Sequence, residues 1–107
     1  MKIKYKKQYL ADLYCGKKVR DKRFRSDPKL VSQYQKTVSK LIKATRIEQL
    51  YQFKSLNYEK LSGKLKGKSS VRINKQYRLI FTEIPANEPP YEIEIIELEE
   101  ISKHYEN

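Results

Sequence analysis

The segment from residue 69 to residue 81 restricts the fold most, because it can form a β-hairpin in only one register. It reads SSVRINKQYRLIF. Period-two alternation predicts one shared apolar face, made of Val71, Ile73, Tyr77, Leu79 and Phe81. Both strands reach the same core only if Arg72 stands opposite Arg78, since a slip of one residue would turn one apolar set to solvent. This register predicts a three-residue connection over residues 74–76.

The predicted register places two arginines side by side on the polar face of the hairpin. Like charges directly opposite each other on a sheet are destabilising. The pair of Arg72 and Arg78 is therefore explained if an anion binds between the two side chains, and the guanidinium fork suits phosphate. The alternative is that both arginines are solvated and only decorate an outer face. The hairpin by itself leaves both interpretations open.

Length and charge narrow the class of protein. The chain has 107 residues, which predicts a single domain over 1–107 with one modest core. Charged residues make up 35% and the formal net charge is +11, with an isoelectric point of about 9.7. Such a basic chain favours a nucleic-acid partner. An acidic protein or an anionic membrane surface would satisfy the same charge.

The charge is distributed unevenly along the chain. Residues 1–46 contain 15 Lys and Arg against 3 Asp, whereas residues 84–107 contain 1 Lys against 7 Glu. In three dimensions the late carboxylates could neutralise part of the basic surface, or they could leave a bipolar molecule.

Compartment and metal chemistry are restricted by what the sequence lacks. No hydrophobic run approaches the length of a membrane span, and the basic N-terminus lacks the apolar stretch of a signal peptide. We therefore expect a cytoplasmic protein. The single cysteine, Cys15, cannot form an internal disulfide, and with one histidine it cannot build a zinc site. We expect no cofactor and no metal, and Cys15 is predicted to be a core residue.

The remaining patterns predict helices first and strands later. In chain order we expect a strand over 2–5, a helix over 7–15, an exposed basic connector over 17–25, a helix from Asp27-Pro28 to about Thr45, a helical turn over 47–53, the hairpin, a loop over 85–90, and a strand from Tyr91 with a bulge or end at Ile95-Ile96. This order predicts an α+β fold, with N-terminal helices packed on one face of a small twisted antiparallel sheet and a short C-terminal segment.

The C-terminal half resembles a known family. Leu61-Ser62-Gly63 and Gly67 precede the hairpin, and His104-Tyr105 stands near the end of the chain. The order of these elements over residues 56–105 resembles the RelE/ParE superfamily of toxins from type II toxin–antitoxin systems. It is most similar to the HigB-like branch, the plasmid-maintenance killer proteins.

The resemblance implies an activity and a set of site residues. The implied activity is metal-free cleavage of messenger RNA on the ribosome, with the ribose 2′-hydroxyl attacking the neighbouring phosphorus. Arg78 matches the phosphate-contacting arginine of the family, and Arg72 matches a basic position one strand earlier. His104 is the implied proton-transfer residue, and Tyr105 could stack on a base. The implied partner is an antitoxin, expected to be a HigA-like helix-turn-helix protein.

One stretch departs from the family pattern. Where HigB-like proteins carry histidine and lysine in "H-x-L-K-G", this chain has Glu59 and Ser62. Glu59 could serve as the base instead. RNA-binding charge would then come from nearby lysines, namely Lys60, Lys64, Lys66 and Lys68.

Each candidate also has a purely structural explanation. His104 could lie at the surface, and Tyr105 could pack under the last strand. Alternating lysines at 64, 66 and 68 would line one side of an extended segment, where they usually form a solvated edge that prevents aggregation. Gly63 and Gly67 most often indicate a turn or bulge.

Three classes of function follow from these observations. The first is a ribosome-dependent mRNA endonuclease toxin. The second is a non-enzymatic toxin of the ParE type that inhibits DNA gyrase. The third is a basic nucleic-acid-binding module without toxicity. The two arginines together with His104-Tyr105 favour the first over the second.

Overall fold

Five strands form one mixed sheet in the computed structural model, which describes residues 1–103. They are β1 (Lys2–Tyr5), β2 (Glu59–Lys60), β3 (Ser69–Arg72), β4 (Tyr77–Pro85) and β5 (Ile93–Lys103). Their order across the sheet is β1-β5-β4-β3-β2. The α+β prediction is confirmed.

The prediction of a wholly antiparallel sheet is wrong at one edge. Strands β2 to β5 pair antiparallel, but β1 pairs parallel with β5. The Met1 ammonium donates hydrogen bonds to the carbonyl oxygens of Ile42 and Ala44 at distances of 2.7 and 2.5 Å. These bonds hold the start of β1 at the end of the long helix, and β1 enters the sheet from there.

Helices cover one face of the sheet, as expected. They are α1 (Gln8–Tyr14), α2 (Lys22–Arg25) and α3 (Pro28–Lys43), followed by short 3₁₀ helices at Ile47–Gln52, Lys54–Leu56 and Gly63–Leu65. The Asp27 side chain accepts a hydrogen bond from the Leu30 amide at 3.0 Å, so the predicted cap begins α3. The core joins the helices to the sheet through fully buried side chains, among them Leu10, Tyr34, Val38, Leu79, Phe81 and Leu98.

Helix α1 ends at a glycine in the left-handed region, which corrects the prediction for Cys15. Gly16 has φ +79°, its amide bonds to the Leu13 carbonyl at 3.2 Å, and the Lys17 amide bonds to the Asp12 carbonyl at 2.8 Å. This pair of bonds closes a helix C-terminus. Cys15 falls in the cap and is exposed rather than part of the core.

The basic connector is more ordered than its composition indicates. Asp21 caps the short helix α2, and Phe24 within it is only 3% exposed and stacks on Tyr9 with ring centroids 5.8 Å apart. The prediction of an exposed connector is therefore wrong at Phe24. One large aromatic on a single capped turn is enough, because it enters a core that other elements have already built.

The hairpin has the predicted register. Arg72 stands opposite Arg78, and Val71 stands opposite Leu79. The three-residue connection is closed by Asn74, whose side-chain oxygen accepts hydrogen bonds from the Gln76 and Tyr77 amides, both at 2.8 Å. An asparagine oxygen that bonds backbone amides two and three residues on is a common way to stabilise such a turn.

Strand β5 runs further than predicted and is irregular elsewhere. It continues through Ile95-Ile96, where a bulge or end was expected. Its register against β4 shifts instead at Glu94 and Glu99, each an extra residue without an opposite partner. Tyr91 was predicted to begin this strand, but it lies outside it with φ +56°.

Candidate active site on the outer face of the sheet

The face of the sheet away from the helices, here called the outer face, gathers the candidate site residues. Because strand partners share a face, Arg72, Arg78 and Ser102 form one row across β3, β4 and β5. The next row contains Glu59, Ser70, Ile80 and Glu100. The predicted pair of arginines thus lies beside the predicted substitute base.

The two arginines differ in their surroundings. Arg72 is exposed, whereas the Arg78 side chain is only 14% exposed. Arg78 Nη1 lies 3.9 Å from Glu59 Oε1, across the short strand β3. Arg78 Nε is buried and has no hydrogen-bond partner among residues 1–103. A buried donor without a partner is rare and costly, which makes Arg78 a candidate for contact with a ligand.

This arrangement is suited to binding a phosphate. A guanidinium with an unused Nε–H can donate two parallel hydrogen bonds to phosphate oxygens. Arg72 supplies a second positive charge from the opposite strand. Glu59, at 52% exposure, is open to solvent and can accept a proton. A carboxylate, a fixed guanidinium and a second guanidinium therefore meet within one small area.

The four lysines predicted to bind RNA fall into two groups. Lys60, Lys64 and Lys66 are exposed. Lys68 is half-buried, and its Nζ lies 2.5 Å from Glu99 Oε1. The expected straight row of lysines 64, 66 and 68 is wrong, because residues 63–65 form a 3₁₀ turn and Gly67 has φ +93°. The predicted turn at the two glycines is confirmed.

Glu99 organises the other end of the outer face. Its carboxylate receives Lys68 Nζ at 2.5 Å, Lys6 Nζ at 3.5 Å and a short hydrogen bond from the Thr82 hydroxyl. Burial alone raises the pKa of a carboxyl group. Here the lysines and the hydroxyl outweigh burial and hold the pKa of Glu99 below its ordinary value.

Sequence reasoning missed Ser102, Glu99 and Lys6. A signal for Glu99 was present, because the apolar positions Leu98 and Ile101 are three residues apart in a strand otherwise spaced by two. That spacing indicates an extra residue between them, which is the bulge. Ser102 carried no signal, since its place in the arginine row depends on that same bulge.

Several predictions lie outside what the structure describes. His104 and Tyr105 follow the described range, which ends at Lys103. Within residues 1–103, no three His, Cys, Asp or Glu side chains gather as they would around a metal ion. In the same range, no helix combines the length and apolar character needed to cross a membrane.

Solved structures of other proteins share this fold. Among solved structures, the fold is similar to YafQ from E. coli strain BL21(DE3), with TM-score 0.59, 14% identity and coverage of 94% of this chain and 90% of that one. It is also similar to a YoeB/ParE toxin from Agrobacterium tumefaciens, with TM-score 0.55, 18% identity and coverage of 98% and 100%. The YoeB-YefM complex from Staphylococcus aureus matches with TM-score 0.51, 22% identity and 98% of both chains. A search of curated proteins finds no significant match.

The chain therefore shares its fold with these solved structures. A family model described as the RelE-like toxin of the type II toxin–antitoxin system HigB matches residues 3–88. This span covers most of the chain, which belongs to the HigB-like toxin family. The protein is thus the toxin component of a toxin–antitoxin system, and its partner is an antitoxin. The family match ends before β5, so it does not include His104 and Tyr105.

Proposed function

We propose that this toxin is an endoribonuclease that cleaves messenger RNA on the ribosome. The observation that carries the proposal is the outer-face site, where Arg78 stands beside Arg72 and Glu59 and its buried Nε–H has no hydrogen-bond partner among residues 1–103. Family membership supports the same activity.

The proposed reaction is a phosphoryl transfer within the RNA. The 2′-oxygen forms a bond to the adjacent phosphorus while the bond to the 5′-oxygen of the next nucleotide breaks. The products are a 2′,3′-cyclic phosphate and a free 5′-hydroxyl. A base must take the proton of the 2′-hydroxyl, an acid must protonate the leaving 5′-oxygen, and positive charge must stabilise the phosphorane between these steps.

Each step is assigned to a side chain. Arg78 and Arg72 hold the phosphate, and Glu59 accepts the proton of the 2′-hydroxyl. His104 is the proposed acid, because it is the only side chain whose unperturbed pKa lies near neutrality. Tyr105 is proposed to stack on a base. Binding of the RNA backbone is proposed for the lysines of the 60–68 segment: Lys60, Lys64, Lys66 and Lys68.

The antitoxin is proposed to be a HigA-like helix-turn-helix protein. This assignment follows from the branch of the family to which the chain belongs. A neighbouring reading frame that encodes a small helix-turn-helix protein, and that restores growth when it is co-expressed, would support it.

Induced expression in bacteria tests the function directly. Expression of the intact chain without antitoxin should arrest growth and produce messages whose new 5′-ends lie within codons. Arg78→Ala, expressed to the same soluble level, is the matched control and should permit growth. Normal growth with the wild-type chain would reject the toxin assignment. Arrest with intact messages and damaged DNA would indicate inhibition of gyrase instead.

A further inference from the structure

A cavity lies at the edge of the sheet, beside strand β2 and the loop that follows it. Strand β4 extends past its pairing with β3, because Ser69, the first residue of β3, stands opposite Phe81. The following residues 82–85 pair only with β5. The loop over residues 61–68 lies beside this free edge, and between them is a cavity of about 480 Å³. We call it the edge pocket, and its lining includes Lys60, Leu61, Lys66, Ser69, Glu83 and Pro85.

A fixed carboxylate lies in the edge pocket. Glu83 Oε2 accepts a hydrogen bond from the Ser69 hydroxyl at 2.5 Å and a short one from the Tyr58 hydroxyl. Burial, with a further contribution from Glu83, raises the pKa of Tyr58 well above its ordinary value, so Tyr58 stays protonated as a donor. Both donors use one oxygen. No described residue donates to Oε1, which therefore keeps its full capacity as an acceptor.

The remaining lining suits a planar, partly apolar group. Leu61 and Pro85 supply apolar walls, and Lys60 and Lys66 are exposed ammonium donors in the same lining. The volume lies within the range of sites that hold small ligands. A carboxylate acceptor, apolar walls and lysine donors together form the set with which proteins read the edge of an unstacked base.

The edge pocket begins one residue from the proposed base of the reaction. Glu59 lies on the outer face, and the next residue, Lys60, turns to the opposite side of β2 and lines the pocket. Strand β2 is the edge of the sheet. An RNA strand passing over this edge can place its phosphate against the arginines and the next base in the pocket.

We propose that the edge pocket binds the nucleobase adjacent to the cleaved phosphodiester and prefers guanine; the position relative to the cut rests on the proposed function. Guanine presents N–H donors to Glu83 Oε1 and, at O6 and N7, acceptors to the lysines. Uracil places carbonyl oxygens on both sides of its single N–H, and these would repel the carboxylate. Adenine and cytosine present an amino group beside an unprotonated ring nitrogen, which gives Glu83 one donor fewer.

Binding of short, uncleavable RNA tests the proposal on the purified full-length chain. The probes are four fluorescent trinucleotides with 2′-O-methyl riboses, which block the attacking hydroxyl and differ only in the 3′ base. The wild-type chain should bind the guanine probe at least about tenfold more tightly than the uracil probe. Equal affinity for all four probes would overturn the proposal.

Variants assign the preference to the edge pocket. Glu83→Gln should reduce the preference for guanine to less than about threefold, while the exposed Glu88→Gln should leave it unchanged. Lys66→Ala removes an exposed side chain, so it retains the fold even if Glu83→Gln does not, and it should also reduce the preference. An undiminished preference in Lys66→Ala, or in a folded Glu83→Gln, would overturn the proposal.

The same measurements separate this inference from the proposed nuclease activity. Cleavage of RNA without any guanine preference beside the cut would reject the role of the pocket and leave the nuclease standing. A guanine preference that depends on Glu83, in a chain that cuts no RNA, would support base binding in the edge pocket and reject the nuclease activity.

Discussion

Arg78 and Arg72 differ in exposure, and the difference decides what each residue can contribute. Arg78 is held at 14% exposure beside Glu59, so its desolvation and orientation are already established before a ligand arrives. Arg72 is exposed and its charge is screened by solvent. A preorganised charge stabilises a transition state more than a mobile one does. We therefore expect Arg78 to hold the phosphate and Arg72 to assist it.

Arg72→Ala should lower the rate of cleavage less than Arg78→Ala does. The expected loss is about tenfold, the scale of one solvated charge contact. The free energy of unfolding should change little or rise slightly, because the variant removes the repulsion between two positive charges on paired strands. Cleavage kinetics and thermal unfolding of the same preparation check this. A larger loss for Arg72→Ala than for Arg78→Ala would reverse the assignment.

Glu99 should make stability depend on pH. The folded pKa of Glu99 lies below its unfolded value, so its contribution to stability is present above the unfolded pKa and is lost as pH falls through the folded pKa. Glu99→Gln should lower the free energy of unfolding by about 1–3 kcal/mol at pH 7 and should flatten its decrease in acid. Denaturant unfolding from pH 3 to pH 7 measures both effects. An equal decrease of the free energy of unfolding in acid for Glu99→Gln and the wild type would contradict the prediction.

At the scale of elements, two side chains bind the free edge of β5: Tyr9 from helix α1 and Arg23 from the connector. Strand β1 pairs with β5 only as far as Leu98. Beyond it, the Ile101 amide donates to the Tyr9 hydroxyl at 3.1 Å, and the Ile101 carbonyl accepts from Arg23 Nη1 at 2.9 Å. Arg23 also lies over the Phe24 ring, 4.8 Å from its centroid. Tyr9 and Arg23 thus take the place of the missing strand neighbour.

Arg23→Ala should therefore destabilise the fold, although Arg23 is one of many connector cations. Loss of its hydrogen bond to the Ile101 carbonyl should cost about 1–2 kcal/mol. Arg25→Ala is the matched control, because Arg25 is exposed in the same short helix, and its effect should remain within about 0.5 kcal/mol. Urea unfolding compares the two. Equal effects would show that Arg23 is only surface charge.

The elements differ in how far the sequence predicted them, for physical reasons. The hairpin and α3 were predictable because local signals agree there: alternation determines the register of Arg72 and Arg78, and Asp27 caps the helix. The parallel pairing of β1 was not, because it depends on a contact between Met1 and the end of α3, about forty residues away. Phe24 was misjudged because burial depends on the space that distant elements leave.

The candidate site was predictable only in part. Arg72, Arg78 and Glu59 were each singled out from the sequence. Their proximity in the fold depends on the pairing of β2 with β3, and a strand of two residues is too short to be predicted from its sequence pattern. The burial of Arg78 relative to Arg72 also had no signal, since the two arginines alternate identically in their strands. The pairing of Lys68 with Glu99 joins residues 31 apart in sequence and needed the bulge in β5.

At the scale of the whole molecule, the sheet neutralises part of the charge imbalance. The glutamate-rich strand β5 lies between β1 and β4, so Glu97 stands beside Lys4 and Glu99 contacts Lys6 and Lys68. The late carboxylates could either neutralise part of the basic surface or leave a bipolar molecule. On the outer face they neutralise part of it. Within residues 1–103, Arg23 is the one cation of the connector and of α3 that lies within 4.0 Å of a carboxylate oxygen, so the positive charge of these two elements is largely unpaired.

Binding to RNA should weaken steeply with salt, because each neutralised phosphate releases counterions. Replacing the exposed Lys17, Lys18 and Lys22 with alanine should flatten the slope of log affinity against log salt by up to about two to three units. Arg23 is left in place because the fold needs it. Anisotropy with a single-stranded RNA from 50 to 300 mM salt measures the slope. An unchanged slope would show that the connector does not touch nucleic acid.

The central claim is that Arg78 stabilises the phosphorane of an RNA-cleaving reaction, and a single-turnover cleavage assay tests it most directly. Programmed ribosomes carrying a labelled message are mixed with the wild-type chain, Arg78→Ala, Arg78→Lys or the exposed loop control Lys75→Ala, each shown to be folded by thermal unfolding.

Arg78→Ala should cut about 30- to 1,000-fold more slowly, the loss of about 2–4 kcal/mol expected for a preorganised charge. Arg78→Lys should be intermediate, because lysine lacks the bidentate fork, and Lys75→Ala should match the wild type. Wild-type cleavage by a folded Arg78→Ala would contradict the account.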